Sequence, residues 1–216
     1  MAELRVARSE LILGGQKSGK TARAESLAAA WLAQSPEHRA VYIATAQAWD
    51  EEMRERIARH QRQRAQRVPR MTTVEEPLEL AHAIGVHSRA DTLIVVDCLT
   101  LWLTALLMPA VGQASPQPGP HPNPPPEGGG QQTSLSPRER AGVRVAPAAS
   151  IANALLACAG PIVLISNEIG SGVIPLGQNV RAFVDALGGM NQQAAAACER
   201  VTLMSAGLPL TLKGGS

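Results

Sequence analysis

"GGQKSGKT", residues Gly14 to Thr21, decides how the rest of the chain is read. It matches G-x-x-x-x-G-K-[ST], with Gly14, Gly19, Lys20 and Thr21 at the fixed positions. The apolar "ELILGG" (Glu10 to Gly15) reads as a buried strand entering a glycine turn. "KTARAESLAAAWLA" follows with strong helix formers and meets no breaker until Pro36. A glycine-rich turn between strand and helix points backbone N–H groups inward, and the helix N-terminus adds partial positive charge. Gly14, Gly15, Gln16, Lys17, Ser18 and Gly19 would thus cradle phosphate oxygens. Lys20 would reach the β- and γ-phosphates, and Thr21 would ligate Mg²⁺. These residues imply a nucleoside triphosphate as ligand.

Outward from the loop, apolar strands alternate with helices. "AVYIATA" (Ala40 to Ala46), "DTLIVVD" (Asp91 to Asp97) and "GPIVLISNE" (Gly160 to Glu168) read as further buried strands. "WDEEMRERIARHQRQR" (Trp49 to Arg64), "PLELAHAIGV" (Pro77 to Val86), "LTLWLTALL" (Leu99 to Leu107) and the long segment Asn179 to Val201 read as helices. "VTLMSAG" and "LPLTLK" form a closing strand pair. Continuously apolar strands between helices imply an α/β fold, a mostly parallel sheet covered on both faces. The 216 residues fit one domain. Gly112 to Ser150 is rich in Pro, Gly, Ser and Gln, and cannot bury enough surface to offset its ordering entropy. It is expected to be a disordered insertion in a surface connection.

Aromatics are only 2% of the chain, so its core must be aliphatic. A formal charge of +2 offers no general attraction to nucleic acid or acidic membranes. Cys98, Cys158 and Cys198 are too far apart for C-x-x-C spacing and odd in number, which argues against a disulfide framework or a zinc site. The longest apolar run, Leu99 to Met108, is too short to span a bilayer, and the N-terminal stretch lacks a signal-peptide pattern. The cytoplasm is the expected compartment.

Asp97 ends its strand where phosphate-loop proteins place a second, usually water-mediated, Mg²⁺ partner. Cys98 follows it, not the hydrolytic glutamate of ATP-driven motors, and no N-K-x-D guanine-reading motif occurs. Transfer of a phosphoryl or nucleotidyl group to an acceptor remains.

Arginine outnumbers lysine 17 to 3, and Arg54 to Arg64 sets five arginines around His60. On a helix, Trp49, Met53, Ile57 and His60 share one face, so His60 continues a narrow apolar stripe. Spacing leaves two readings open, a core histidine or a nucleophile. The arginines are equally open: a solvated face paired with Glu51, Glu52 and Glu55, or holders of triphosphate oxygens.

"LILGGQKSGKTARAE", "VYIATA", "DEEMRERIARH", "TVEEPLEL", "VVDCLTLWLT", "SNEIGSGVIP", "RAFVD", "NQ" and "AGLPLTLK" together resemble, in order, the signature blocks of the bifunctional adenosylcobinamide kinase / adenosylcobinamide-phosphate guanylyltransferase family. The resemblance covers nearly the whole chain outside the insertion. It implies phosphorylation of adenosylcobinamide by a nucleoside triphosphate (ATP or GTP), then transfer of GMP from GTP to the resulting adenosylcobinamide phosphate. It also implies a guanylylated histidine, His60 by motif position, and homo-oligomers, typically trimers. By the same matching, Ala44, Thr45, Ala46, Arg62, Arg64, Glu75 and Asp97 fall at guanine-nucleotide contacts. The "NEIGSGVIP" loop (Asn167 to Pro175) is either an acceptor site or a structural turn. Two alternatives remain: a simpler phosphate-loop kinase with a structural His60, or a nucleotide-binding protein inactivated by the insertion.

Overall fold

A computed structural model of the chain describes residues 4–48, 50–107 and 150–215. Trp49 and all but the last residue of the Gly112 to Ser150 segment lie outside them. The elements run β1 (Ser9–Gly14), α1 (Lys20–Gln34), β2 (Arg39–Ala44), α2 (Glu51–Arg67), β3 (Met71–Glu75), α3 (Leu80–His87), β4 (Thr92–Asp97) and α4 (Leu99–Leu107). They continue with α5 (150–157), β5 (Ile162–Ile165), α6 (Gln178–Ala197), β6 (Arg200–Ser205) and β7 (Leu208–Lys213).

The strands form one seven-stranded sheet in the order β3-β2-β4-β5-β1-β6-β7. All neighbours are parallel except β6 and β7, which close the sheet as an antiparallel pair. The α/β expectation, with helices on both faces and a closing pair, therefore holds.

The strands look uniformly apolar because both of their faces are buried, and their period of two sorts the side chains. Ile12, Tyr42, Leu93, Val95, Val163 and Ile165 pack toward Ala24, Leu27, Ala28 and Leu32 of α1. Leu11, Leu13, Ile43, Ile94, Val96, Ile162 and Leu164 pack with α3 to α6 through Leu80, Ile84, Trp102, Ile151, Leu155, Leu187 and Met190.

Two elements were not legible in the sequence. β3 has the burial pattern Beeie, so it shows no apolar run, and its edge position explains why it needs none. Helix α5 begins at the last residue of the low-complexity segment, yet it buries Ile151 and Leu155. Gly188 and Gly189 lie within α6 without ending it.

The candidate nucleotide site

In a parallel sheet, ligands collect at the carboxyl ends of the strands. Here β1 runs into the phosphate loop, β4 ends at Asp97 and β2 ends at Ala44. The loop's turn depends on glycine. Gly14 has φ +150°, and a Cβ there would lie 2.5 Å from the Met204 carbonyl oxygen. Gly19, at φ +101°, serves as the N-cap of α1. Gly15, Gln16 and Lys17 are exposed at the loop's tip, with Lys17 also left-handed at φ 58°. The buried Ser18 hydroxyl has no protein partner among the described residues, and a phosphate oxygen is the kind of group that satisfies such an orphan.

Lys20 is buried, and its Nζ donates to the carbonyls of Gly14 (2.9 Å) and Gly15 (2.6 Å). Burial lowers its pKa, while the neighbouring Cys98 and Asp97 oppose the shift. Cys98 itself is pushed up to about 12, first by burial and then by Asp97, so it is a thiol at neutral pH and no substitute for a catalytic carboxylate.

The Thr21 hydroxyl donates to Asp97 Oδ2 at 2.9 Å. The two residues expected to serve one metal ion thus touch. Their oxygens suit Mg²⁺, which binds through one or two protein oxygens together with substrate phosphates. No group of three His, Cys, Asp or Glu converges among the described residues, so a metal here would rest on this pair.

A second donor meets the same carboxylate oxygen: the hydroxyl of Tyr42 from β2. Burial, then Asp97, raise the Tyr42 pKa well above its ordinary value, keeping that hydroxyl protonated as a donor. Tyr42 was missed in the sequence, although a signal existed. It is the chain's only tyrosine, set in an aliphatic strand, and a buried phenol needs a partner.

Thr45 is fully buried. Its backbone N–H donates to Asp97 O (3.0 Å), and its hydroxyl exchanges bonds with the Cys98 backbone. It therefore ties the end of β2 to the end of β4. Ala46 and Glu75 line a cavity of about 390 Å³ with Gln47, Ile57, Gln61 and Pro77. Gln61 donates to Glu75 at 2.9 Å. Ala44 is half-buried at the end of β2, and its carbonyl accepts from Glu76 N.

Helix α2 brings His60 to this edge. Asp50 caps it by accepting from Met53 N at 2.7 Å, with Glu51 and Glu52 in the first turn. The apolar stripe is weak: Met53 and Ile57 are half-buried and His60 is exposed, so His60 is not a core histidine. Enough protein still surrounds the ring for burial to lower its pKa. Asp97 raises it, while Arg56, Arg59 and Arg64 lower it further. The net result is a neutral imidazole at pH 7, with a lone pair available.

The arginines divide. Arg62 is exposed, and Arg54 pairs with Glu51 (2.8 Å) as an ordinary surface bridge. Arg64 is 4% exposed and turns inward, its guanidinium carbon 3.7 Å from the centre of the Tyr42 ring.

The comparisons follow the same outline. The family model described as "Cobinamide kinase / cobinamide phosphate guanyltransferase" matches residues 10–212. The chain is 42% identical over 210 residues to the bifunctional adenosylcobalamin biosynthesis protein CobP of Pseudomonas aeruginosa, covering 95% of this chain and 97% of that one. It is 30% identical over 203 residues to the bifunctional adenosylcobalamin biosynthesis protein CobU of Escherichia coli, covering 94% and 98%. The chain belongs to the cobinamide kinase / cobinamide phosphate guanyltransferase family.

Proposed function

We propose that this chain runs both reactions of its family at one phosphate loop, with His60 as the covalent carrier in the second. The carrying observation is that an exposed His60 stands on the helix whose Arg64 stacks on Tyr42, and Tyr42 donates to Asp97, which itself bonds Thr21 of the loop.

In the first reaction the nucleotide's phosphates lie on the N–H groups of Gly14 to Gly19. Lys20 exchanges its carbonyl bonds for β- and γ-oxygens. The adenosylcobinamide hydroxyl oxygen attacks the γ-phosphorus, the β–γ bridging P–O bond breaks to release the nucleoside diphosphate, and the hydroxyl proton passes to solvent. The acceptor lies along the Asn167 to Pro175 loop. Its start is fixed to the phosphate loop by Glu168 N donating to Gly14 O (3.3 Å), and Val173, Ile174 and Leu176 nearby are exposed.

In the second reaction a ring nitrogen of His60 attacks the α-phosphorus of GTP. A P–N bond forms, the P–O bond to the β-phosphate breaks, and pyrophosphate leaves. The phosphate oxygen of adenosylcobinamide phosphate then attacks the same phosphorus. The P–N bond breaks, the lone pair returns to His60, and adenosylcobinamide-GDP is released. Arg62 and the loop offset charge on the phosphates. Ala46 and Glu75 form the nucleoside end, supported by the cavity they share, with Ala44 and the buried Thr45 holding the end of β2 behind them. Mg²⁺ on Thr21 and Asp97 supplies charge neutralisation and orientation of the phosphates.

The same reading puts the enzyme in the cytoplasm as a homo-oligomer, a trimer by family resemblance. Exposed Leu208, Leu210 and Leu212 on β7 support self-association. Among the described residues, no helix is long and apolar enough to cross a membrane.

The test is to incubate the protein with Mg²⁺ and GTP labelled at the α-phosphate, then denature it. Protein-bound label that is acid-labile, alkali-stable and absent from His60→Ala supports the proposal. An unlabelled protein that still binds GTP returns His60 to a structural role and favours the simple kinase.

A further inference from the structure

Arg64 is the only buried residue of α2, whose other sixteen positions are exposed or half-exposed. Burying one guanidinium in a helix that buries nothing else needs a reason, because a charge taken from water must find compensation. The compensation is specific. Arg64 Nε and Nη2 both donate to Thr73 Oγ1 of β3, at 3.2 and 3.1 Å, and the guanidinium stacks on the face of Tyr42. The Tyr42 hydroxyl donates to Asp97 Oδ2, and Thr21 donates to that same oxygen. A continuous chain of contacts therefore runs from α2 through Tyr42 and Asp97 to the first turn of α1. His60 stands four residues before Arg64, on the same face of the helix.

We propose that Arg64 and Tyr42 are positioning residues that hold the His60 helix in register with the phosphate site. Arg64 is then required for guanylyl transfer to His60 but not for phosphorylation of the acceptor hydroxyl, which uses groups on α1, β1 and β4. Tyr42 is the joint. Its ring carries the arginine, and its hydroxyl holds the carboxylate. This inference rests on the reading of His60 as nucleophile, and it gives Arg64 a role different from a direct nucleotide contact.

The other attachments of α2 do not replace this one. Gln61 to Glu75 joins a half-buried residue to an exposed one, and Arg67 to Glu25 (3.0 Å) acts through an arginine that is 55% exposed. Neither touches Asp97 or Thr21. Lysine is a poor substitute for Arg64, since it lacks the flat fork that both stacks and donates twice.

The experiment uses the full-length protein and four variants: Arg64→Met, Arg64→Lys, Tyr42→Phe and His60→Ala. Each is checked by thermal melting and by binding of a non-hydrolysable GTP analogue. Label transfer from GTP to protein and phosphorylation of adenosylcobinamide are then timed separately. Arg64→Met is expected to slow labelling about 100-fold, the cost of misplacing a reacting group by about 1 Å, while phosphorylation changes less than about threefold. Arg64→Lys should restore only part of the labelling rate.

Tyr42→Phe keeps the stack, so labelling at saturating metal should persist. Loss of its hydroxyl should weaken Mn²⁺ binding to the protein–analogue complex, read by electron paramagnetic resonance, by about tenfold. Labelling of Arg64→Met at the wild-type rate, or an equal loss of both reactions, overturns the inference and leaves the nucleophile reading intact. Unchanged Mn²⁺ affinity in Tyr42→Phe overturns the role given to its hydroxyl. A wild-type protein that takes no label overturns both readings.

Discussion

Helices α1 and α2 lie on the same side of the sheet and meet the same site, yet they are built in opposite ways. Helix α1 buries Lys20, Ala24, Glu25, Leu27, Ala28 and Leu32, so the loop that starts it is anchored in the hydrophobic core. Helix α2 buries Arg64 and is otherwise held by side-chain hydrogen bonds and ion pairs. Packing makes the first half of the site rigid, because core side chains interdigitate with few voids. Polar contacts are individually worth about 1 kcal/mol, which makes the second half adjustable. The difference matches the division of labour proposed above. Binding phosphates demands one fixed cradle for both reactions, whereas a covalent carrier must approach one substrate and release to another.

The sharpest way to break this comparison is at its shared end. Lys20→Ala removes the loop's buried cation and should lower both reactions by about 10²- to 10³-fold, measured as kcat for each acceptor. Loss of only one reaction would mean that the two do not share the loop. The second is a matched pair of core truncations. Leu27→Ala in α1, at a fully buried position, should destabilise the protein by about 3 kcal/mol in chemical denaturation. Ile57→Ala in α2, half-buried, should cost less than about 1 kcal/mol. Equal costs would erase the contrast.

The smallest effect is in pH. Because burial and Arg56, Arg59 and Arg64 together outweigh Asp97, the His60 pKa lies below its ordinary 6.5. The imidazole is neutral above that lowered value and protonated below it. The acid limb of guanylylation kcat/KM should therefore fall at a pH under 6.5, since that parameter reports the free enzyme. A limb above 6.5 would reverse the sign of the environment described here.

The same contrast explains what could be read from the sequence. The phosphate loop is contiguous, and each of its residue types answers a local backbone or charge requirement, so Gly14 to Thr21 was legible in one line. The sheet was legible because β1, β2, β4 and β5 are buried on both faces. Edge strand β3 was not, since Thr72 and Thr73 are exposed and give no apolar signal. Asp97 was recognisable from its place at a strand end, but its partner Tyr42 was not. They meet only because β2 and β4 are neighbours with Ala44 opposite Asp97, a fact of topology that no spacing encodes.

The family resemblance marked Arg64 together with Arg62, but its inward turn was hidden from spacing. In "RERIARHQRQR" all five arginines look alike, and only the third dimension turns one of them inward. His60 was placed on an apolar stripe by its period, whereas the structure leaves it exposed, because α2 has little core to face. The residues proposed to hold phosphate were readable from local chemistry, and those proposed to position the carrier depend on contacts between distant strands.

The most direct test of the division between the two helices is a side-by-side assay of His60→Asn, a change that preserves polarity and approximate size. Phosphorylation of adenosylcobinamide and transfer of GMP to adenosylcobinamide phosphate would be measured on one preparation. The account predicts phosphorylation within about twofold of the unaltered protein and no detectable GMP transfer, because the first reaction draws on α1, β1 and β4 and on no group of α2. GMP transfer that survives, or a parallel loss of both activities, would contradict it.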